Sequence, residues 1–394
     1  MNHATVVRTI SAATAATLLL AASPPAAAAP ARTAPAQSPA GPPADRSGIG
    51  DVQQAMEALA KTPGVVGAIG GAYVDGKPAG QGSAGSRLLD GKGGKIPPDS
   101  RFRIGSQSKQ MVATVLLQLV EEGKLGLADK LGDLLPEVAA DGLVERADEI
   151  TVRQLIQHTS GIPDWFRKGS STTPAFDVFD FTTYYRPIDM VKMTRGWPRT
   201  GEPGEKFSYS NTNYTLIGMI IEKVTGHTLA DELKRRLFRP LGMTRTYQVT
   251  KPPQGIKGPH GHGYYPDSTG TLRDVHRFNA SYGNGAGGVV STTHDVSAFQ
   301  RAFTRGKLLP APLQQVLTQP QADGSGQQGA GLCGGTLKGA MPGGSAPGLT
   351  ALTFASADGR RQFAISVTLK TADTHAVVPA MIKAVEAVLC PATY

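Results

Sequence analysis

Ser106-Gln107-Ser108-Lys109 is the one Ser-x-x-Lys in the sequence, and its spacing can do chemistry. Before it runs Arg101-Phe102-Arg103-Ile104-Gly105, a short extended segment that ends in a glycine. After it, Met111, Val112, Val115, Leu116, Leu119 and Val120 recur at helical spacing. A helix starting near Ser106 places Lys109 one turn on, on the same face, within reach of the serine hydroxyl. A lysine buried in that turn loses stability as a cation, so its pKa falls and it can accept a proton. The helix start also points free backbone N–H groups outward, which suits a developing oxyanion. Alone the motif is weak. It arises by chance about once per few hundred residues, and a helix N-cap serine followed by a solvated lysine is spelled the same way.

Further along, Phe207-Ser208-Tyr209-Ser210-Asn211 lies just ahead of a helical stretch. A tyrosine on a tight loop can pass protons when a cation lowers its pKa. Asn211 is placed to orient Lys109 and to hydrogen-bond a substrate amide. The pattern occurs again at Tyr282-Gly283-Asn284. His260-Gly261-His262 has the look of metal ligands, but no carboxylate or cysteine accompanies it in pattern, so it reads as a loop.

These groups need elements to hold them. Asp51 to Ala60 reads as an amphipathic helix, and Val65 to Val74 as an apolar, Gly-rich strand turned by Asp75-Gly76 into a second one at Gly80 to Gly85. Helical material dominates from Ser106 to about Leu241, including Thr151 to His158, Asn213 to Val224 stopped by Gly226, and a stretch capped by Thr228. Asp295 to Phe303 is a further helix. Leu349 to Ala355 and Gln362 to Leu369 form a hairpin on Asp358-Gly359, and Ala376 to Leu389 closes the chain as a helix. Strands at both ends and helices between predict one composite sheet with a helical lobe inserted in it.

Composition bounds the rest. The chain has 394 residues, a net charge of +9 and two cysteines. Arg8, the apolar run Ile10 to Ala22 and Ala27-Ala28-Ala29 predict a signal peptide over residues 1–29. The run is too short for a membrane anchor. Residues 30–48 read as an Ala/Pro-rich spacer and 49–394 as the folded domain. Secretion is therefore expected, with Cys333 and Cys390 as a disulfide. Positive residues fall in no nucleic-acid-binding motif; the charge reads equally as non-specific attraction to an anionic cell wall or as a solvated basic surface.

Taken in order, these motifs resemble the penicillin-recognising serine hydrolases, most of all the soluble D-alanyl-D-alanine carboxypeptidases and class C β-lactamases. The matching pieces are Phe102 to Lys109, Leu125 to Pro136, Gln157-His158-Thr159-Ser160-Gly161-Ile162, Pro203 to Asn211, and Gly287-Gly288-Val289-Val290-Ser291. The resemblance runs from about residue 52 to 390. It implies an α/β fold of the serine β-lactamase/transpeptidase type: an antiparallel sheet, N- and C-terminal helices, and an inserted helical lobe. It implies that Ser106 is the acyl-enzyme nucleophile, that Lys109 and Tyr209 shuttle its proton, with either as first base, and that Tyr209 then activates water. It selects Tyr209 over Tyr282 and makes His158 a structural helix end. The implied substrates are peptidoglycan peptides or other small acyl compounds, with β-lactams as covalent ligands and neither metal nor cofactor. One motif departs. Where these enzymes carry Lys-x-Gly or His-x-Gly, this chain has Pro342-Gly343-Gly344-Ser345. Gly344 and the Ser345 N–H still suit substrate binding at a second oxyanion donor. Pro342 has no cation, as in β-lactamase-like esterases, which leaves Lys338 or Arg361 as stand-ins for the charge.

Overall fold

Strands from opposite ends of the chain lie side by side in the computed structural model, which describes residues 48–140, 142–166, 174–319 and 330–390. The expected signal peptide, and the spacer up to Gly48, lie outside the described residues. The strands are β1 (Val65–Val74), β2 (Lys77–Gly85), β3 (Phe102–Arg103), β4 (Tyr247–Gln248), β5 (Tyr264–Pro266), β6 (Leu272–Asp274), β7 (Val289–Ser291), β8 (Ala330–Leu332), β9 (Leu337–Ala340), β10 (Gly343–Ala346), β11 (Leu349–Ser356) and β12 (Arg361–Leu369). The main antiparallel sheet runs β2-β1-β12-β11-β9-β8, and β10 pairs with the other half of β11.

The sheet is buried on both faces. Ala68, Ala72, Phe363, Ile365 and Val367 face one core with the helices Val52–Ala60 and Val377–Leu389. Ile69, Ala351 and Ala364 face the other, where the helical lobe packs. This is the period-2 alternation of a strand. It is also why β1 reads as a continuous small and apolar run. Gly70 and Gly71 in β1 let side chains approach closely: a Cβ would lie 2.9 Å from Met56 Sδ at the first and 2.6 Å from Thr293 Oγ1 at the second.

Helix ends match the sequence signals on both sides of the sheet. Asp51 and Thr151 cap Val52–Ala60 and Val152–Ile156 with their side chains, and Gly226 ends Asn211–Thr225 in the left-handed conformation. A second small sheet, β3-β7-β4, tethers the segment before Ser106 through Phe102↔Ser291 and Arg103↔Val290. Cys333 and Cys390 form the expected disulfide, with Cα atoms 5.4 Å apart. Among the described residues, no helix is long and apolar enough to cross a membrane.

Candidate active site

Ser106 sits in one 3-10 turn, Gly105–Gln107, that runs straight into the helix Ser108–Glu121. Gly105 is needed there. Its φ is +54°, and a Cβ on it would lie 2.7 Å from the Ser345 nitrogen of β10. The turn places Lys109 as its spacing predicts: Nζ donates to Ser106 Oγ at 3.2 Å. Lys109 is buried, and it also donates to Asn211 Oδ1 and to the Ala286 carbonyl, each at 2.7 Å. Three acceptors match the three hydrogens of an ammonium, so the amine is fixed in position over the serine.

Tyr209 completes the group. Its hydroxyl donates to Ser106 Oγ at 2.8 Å, and its ring lies 4.9 Å from Lys109 Nζ. The loop carrying it is pinned from behind. The His158 ring stacks on Tyr209 at 4.5 Å, His158 Nδ1 accepts from the Ser210 N–H, and the His158 carbonyl accepts from Ser208. Burial, reinforced by the Lys109 charge, pushes the His158 pKa down to about 3, so the imidazole is neutral. It does not touch Ser106 as a triad base would. Its left-handed backbone, φ +58°, agrees with the expected helix end. Tyr282 is buried in an aromatic cluster with Phe176, Tyr185 and Trp165, and its pKa is raised, chiefly by burial. Tyr209 therefore lies at Ser106, and Tyr282 packs elsewhere.

Asn211 links Lys109 to a carboxylate. Its Oδ1 takes the Lys109 proton, and its Nδ2 donates to Asp164. The side chain therefore orients Lys109, and Asn211 also lines the cleft. Asp164 Oδ1 also accepts the Asn211 N–H at 2.9 Å, a carboxylate at the start of the Asn211–Thr225 helix. Sequence reasoning missed Asp164, whose partner is 47 positions away; no spacing links them.

Strand β10 forms the opposite wall. Thr353 N donates to the Pro342 carbonyl, which fixes the ladder phase against β11. In an antiparallel pair the hydrogen-bonded residues alternate, so Ser345 falls on a non-bonded pair and its N–H faces away from β11. That side is where Gly105 and Ser106 lie. A Cβ on Gly344 would come within 2.5 Å of the Ser106 nitrogen. The backbone N–H groups of Ser106 and Ser345 thus flank one spot beside Oγ, the arrangement an oxyanion hole requires. Pro342 shares a strand face with Gly344 but brings no charge. Neither Lys338 nor Arg361 replaces it: Lys338 is exposed on β9, and Arg361 pairs with Val74 at the far end of β12. Besides Lys109 behind Ser106, the charged groups at the cleft of about 540 Å³ are, among the described residues, Arg103 and Asp164. Arg103 is buried and donates to the Phe278 carbonyl.

The chain matches the Beta-lactamase family model over residues 52–378. It is 32% identical over 223 residues to penicillin-binding protein 4* of Bacillus subtilis, covering 53% of this chain and 46% of that protein. It is 32% identical over 211 residues to penicillin-binding protein 4 of Amycolatopsis lactamdurans, covering 52% and 50%. The chain spans about half the length of these curated relatives. Among solved structures, a D-stereospecific amidohydrolase from Streptomyces sp. aligns with TM-score 0.70 and 29% identity over 84% of this chain and 97% of that one. A D-amino acid amidase from Ochrobactrum anthropi shares the fold, with TM-score 0.72 and 23% identity over 85% and 97%. With the family model spanning most of its length, and with serine, lysine and tyrosine gathered at one cleft, the chain belongs to the β-lactamase family of serine hydrolases.

Proposed function

We propose that the protein is an exported serine amidohydrolase that cleaves short amides or peptides of D-amino acids through an acyl-enzyme on Ser106. Ser106 Oγ attacks the scissile carbonyl as its proton passes to a deprotonated member of the Lys109–Tyr209 pair, a neutral amine or a phenolate, which has first given up one of its own protons. The oxyanion forms between the N–H groups of Ser106 and Ser345. Tyr209 returns the proton to the departing amine, and the C–N bond breaks. Water then attacks the ester, gives its proton to the same pair, and releases the acid as Oγ is reprotonated.

The observation that carries the choice of substrate is the charge of the cleft. The third-motif cation is missing, Arg103 is committed to a backbone carbonyl, and Asp164 is the carboxylate on the wall. Asp164 Oδ2 accepts only a long contact from Asn211, 3.2 Å, and so keeps capacity for a substrate ammonium. A free amino group suits this cleft better than a free carboxylate does. The D-stereospecific relative from Streptomyces supports the same reading. Export is supported by the apolar N-terminal run and by a disulfide, a bond of oxidising compartments.

D-alanyl-D-alanine carboxypeptidase action on peptidoglycan peptides is the second reading, favoured by the likeness to penicillin-binding proteins. The test is kcat/KM across four substrates: a D-amino acid amide, an N-acylated D-Ala-D-Ala peptide, a cephalosporin and a p-nitrophenyl ester. The amide should lead, and Asp164→Asn should lower its use about 10- to 100-fold more than it lowers use of the ester, the worth of one charge-assisted hydrogen bond, since any loss through Asn211 and Lys109 is common to both substrates. A wild-type preference for the acylated peptide over the amide would sink the amidohydrolase reading in favour of the carboxypeptidase one.

A further inference from the structure

The β5–β6 hairpin gathers three imidazoles and a carboxylate beside the cleft. Tyr264 pairs with Asp274, and Val275 N donates to the Gly263 carbonyl. Continuing that register sets His262 directly across from His276, and their rings stack at 4.1 Å. Asp274 lies diagonally between them. Its Oδ2 meets His262 Nδ1 at 2.7 Å and its Oδ1 meets His276 Nδ1 at 2.9 Å. One ligand atom from each of the three lies within 4.8 Å of the other two. His260 stacks on the outer side of His262 at 5.2 Å. Its Nδ1 is turned to the Gly258 carbonyl, and its Nε2 is buried with no hydrogen-bond partner.

We propose that His262, Asp274 and His276 form a binding site for a divalent transition metal, with zinc as the fitting ion. The two imidazole nitrogens are borderline donors that suit zinc over magnesium or calcium, and zinc also accepts a carboxylate oxygen. Zinc takes nitrogen and oxygen ligands at about 2.0–2.2 Å, so a small widening of the present contacts admits it. Each imidazole then keeps its proton on Nε2 and gives Nδ1 to the ion, and water completes the shell. Side-chain exposures of 18%, 35% and 32% for His262, Asp274 and His276 leave the site open to a cation from solvent. His260 backs the His262 ring, and its orphaned Nε2 is the remaining nitrogen nearby. The sequence shows only His260-Gly261-His262 and gives no reason to join Asp274-x-His276 to it; the hairpin register does.

The site has a structural consequence. The hairpin contributes Tyr265 to the cleft, and Gly263 packs against Gly348, where a Cβ would lie 2.0 Å from the carbonyl oxygen. Phe278, two residues beyond His276, holds Arg103 through its carbonyl. A bound ion cross-links the strands that form this wall.

The test uses untagged full-length protein stripped with a chelator, then titrated calorimetrically with zinc chloride. One equivalent should bind at micromolar affinity or tighter and raise the melting temperature. His276→Gln and Asp274→Asn should each weaken binding by at least about 100-fold, since even outer-shell changes cost 10–100-fold, whereas His375→Gln should not. Binding well below one equivalent, or binding equal in wild type and both site variants, would overturn the proposal. If the variants fail to fold, cobalt(II) added to the wild type decides. Intense visible absorption from one tetrahedral ion supports the site, and the weak spectrum of hydrated cobalt refutes it.

Discussion

Among the described residues, Lys109 and Tyr209 are the side chains hydrogen-bonded to Ser106 Oγ, and so the groups placed to relay its proton. Ser106→Ala should abolish covalent labelling by a fluorophosphonate or a reactive β-lactam while leaving the fold intact. Label retained at wild-type stoichiometry would place the nucleophile elsewhere. Lys109→Ala and Tyr209→Phe should each slow turnover by about 10²–10⁴-fold, the usual cost of a lost general acid–base group. Tyr282→Phe should be mild, because Tyr282 packs against Phe176 and Tyr185 and does not reach Ser106. His158 governs a different observable. Its pKa in the folded protein is about 3, against an ordinary value of about 6.5. Between those values the unfolded chain binds a proton that the folded one refuses, so stability rises with pH across that window. It is complete above the ordinary value and is lost as the pH falls toward 3, on the order of 3 kcal/mol by pH 4. Urea unfolding at pH 4 and 7 measures it. His158→Asn tolerates the positive φ and has no titrating ring, so its stability should fall less between the two pH values. An equal fall in both proteins would assign the acid sensitivity to other groups.

The site depends on β10 lying against the turn that carries Ser106, and glycine makes that approach possible. A Cβ on Gly344 would stand 2.1 Å from the Ile104 carbonyl oxygen and 2.5 Å from the Ser106 nitrogen. Both obstacles are backbone, so the strand must move. Gly344→Ala should therefore cut kcat by at least about 10²-fold, as loss of an oxyanion donor does, with a smaller change in KM. Steady-state kinetics beside a circular dichroism spectrum would check it; wild-type kcat would show that β10 does not supply the second donor. The sequence spoke clearly where one element contains its own signal. Val65 to Val74 is a strand at the residues where its apolar run begins and ends, Asp358-Gly359 turns a hairpin, and Thr151 caps a helix. It was silent on β4 to β9. These strands are two to four residues long, and their partners across the sheet, which no local pattern encodes, define them. The same reason hid Asp164, and it hid the union of Asp274 and His276 with His262: each contact depends on register or on lobe packing. The third motif was legible as a departure, because Pro342 stands where a cation was expected. What the departure means needed the cleft, where neither Lys338 nor Arg361 takes the vacant role.

The chain closes on itself, with β1 beside β12, and Gly50 N donating to the Val388 carbonyl at 2.7 Å. The helices Val52–Ala60 and Val377–Leu389 share one core, and the disulfide ties the turn after β8 to the end of the second helix. The reacting groups sit on the other face of the sheet, with the helical lobe. Stability and catalysis should therefore separate. The bridge closes a loop with a sequence separation of 57, and a loop of that size restricts the unfolded chain by about 4 kcal/mol in the chain-entropy account. The Cys333→Ala, Cys390→Ala double variant should lose stability of that order in urea unfolding, since Cys333 and Cys390 are only partly buried against their core and leave no large cavity. At 25 °C, kcat/KM should stay within about twofold of wild type, because changes so far apart without shared partners act independently. Gly344→Ala should give the opposite pattern, with activity lost far out of proportion to stability. If the cysteine variant instead lost its activity while still folded, the core behind the sheet would be shown to set the position of β10, through β11, which contributes residues to both faces.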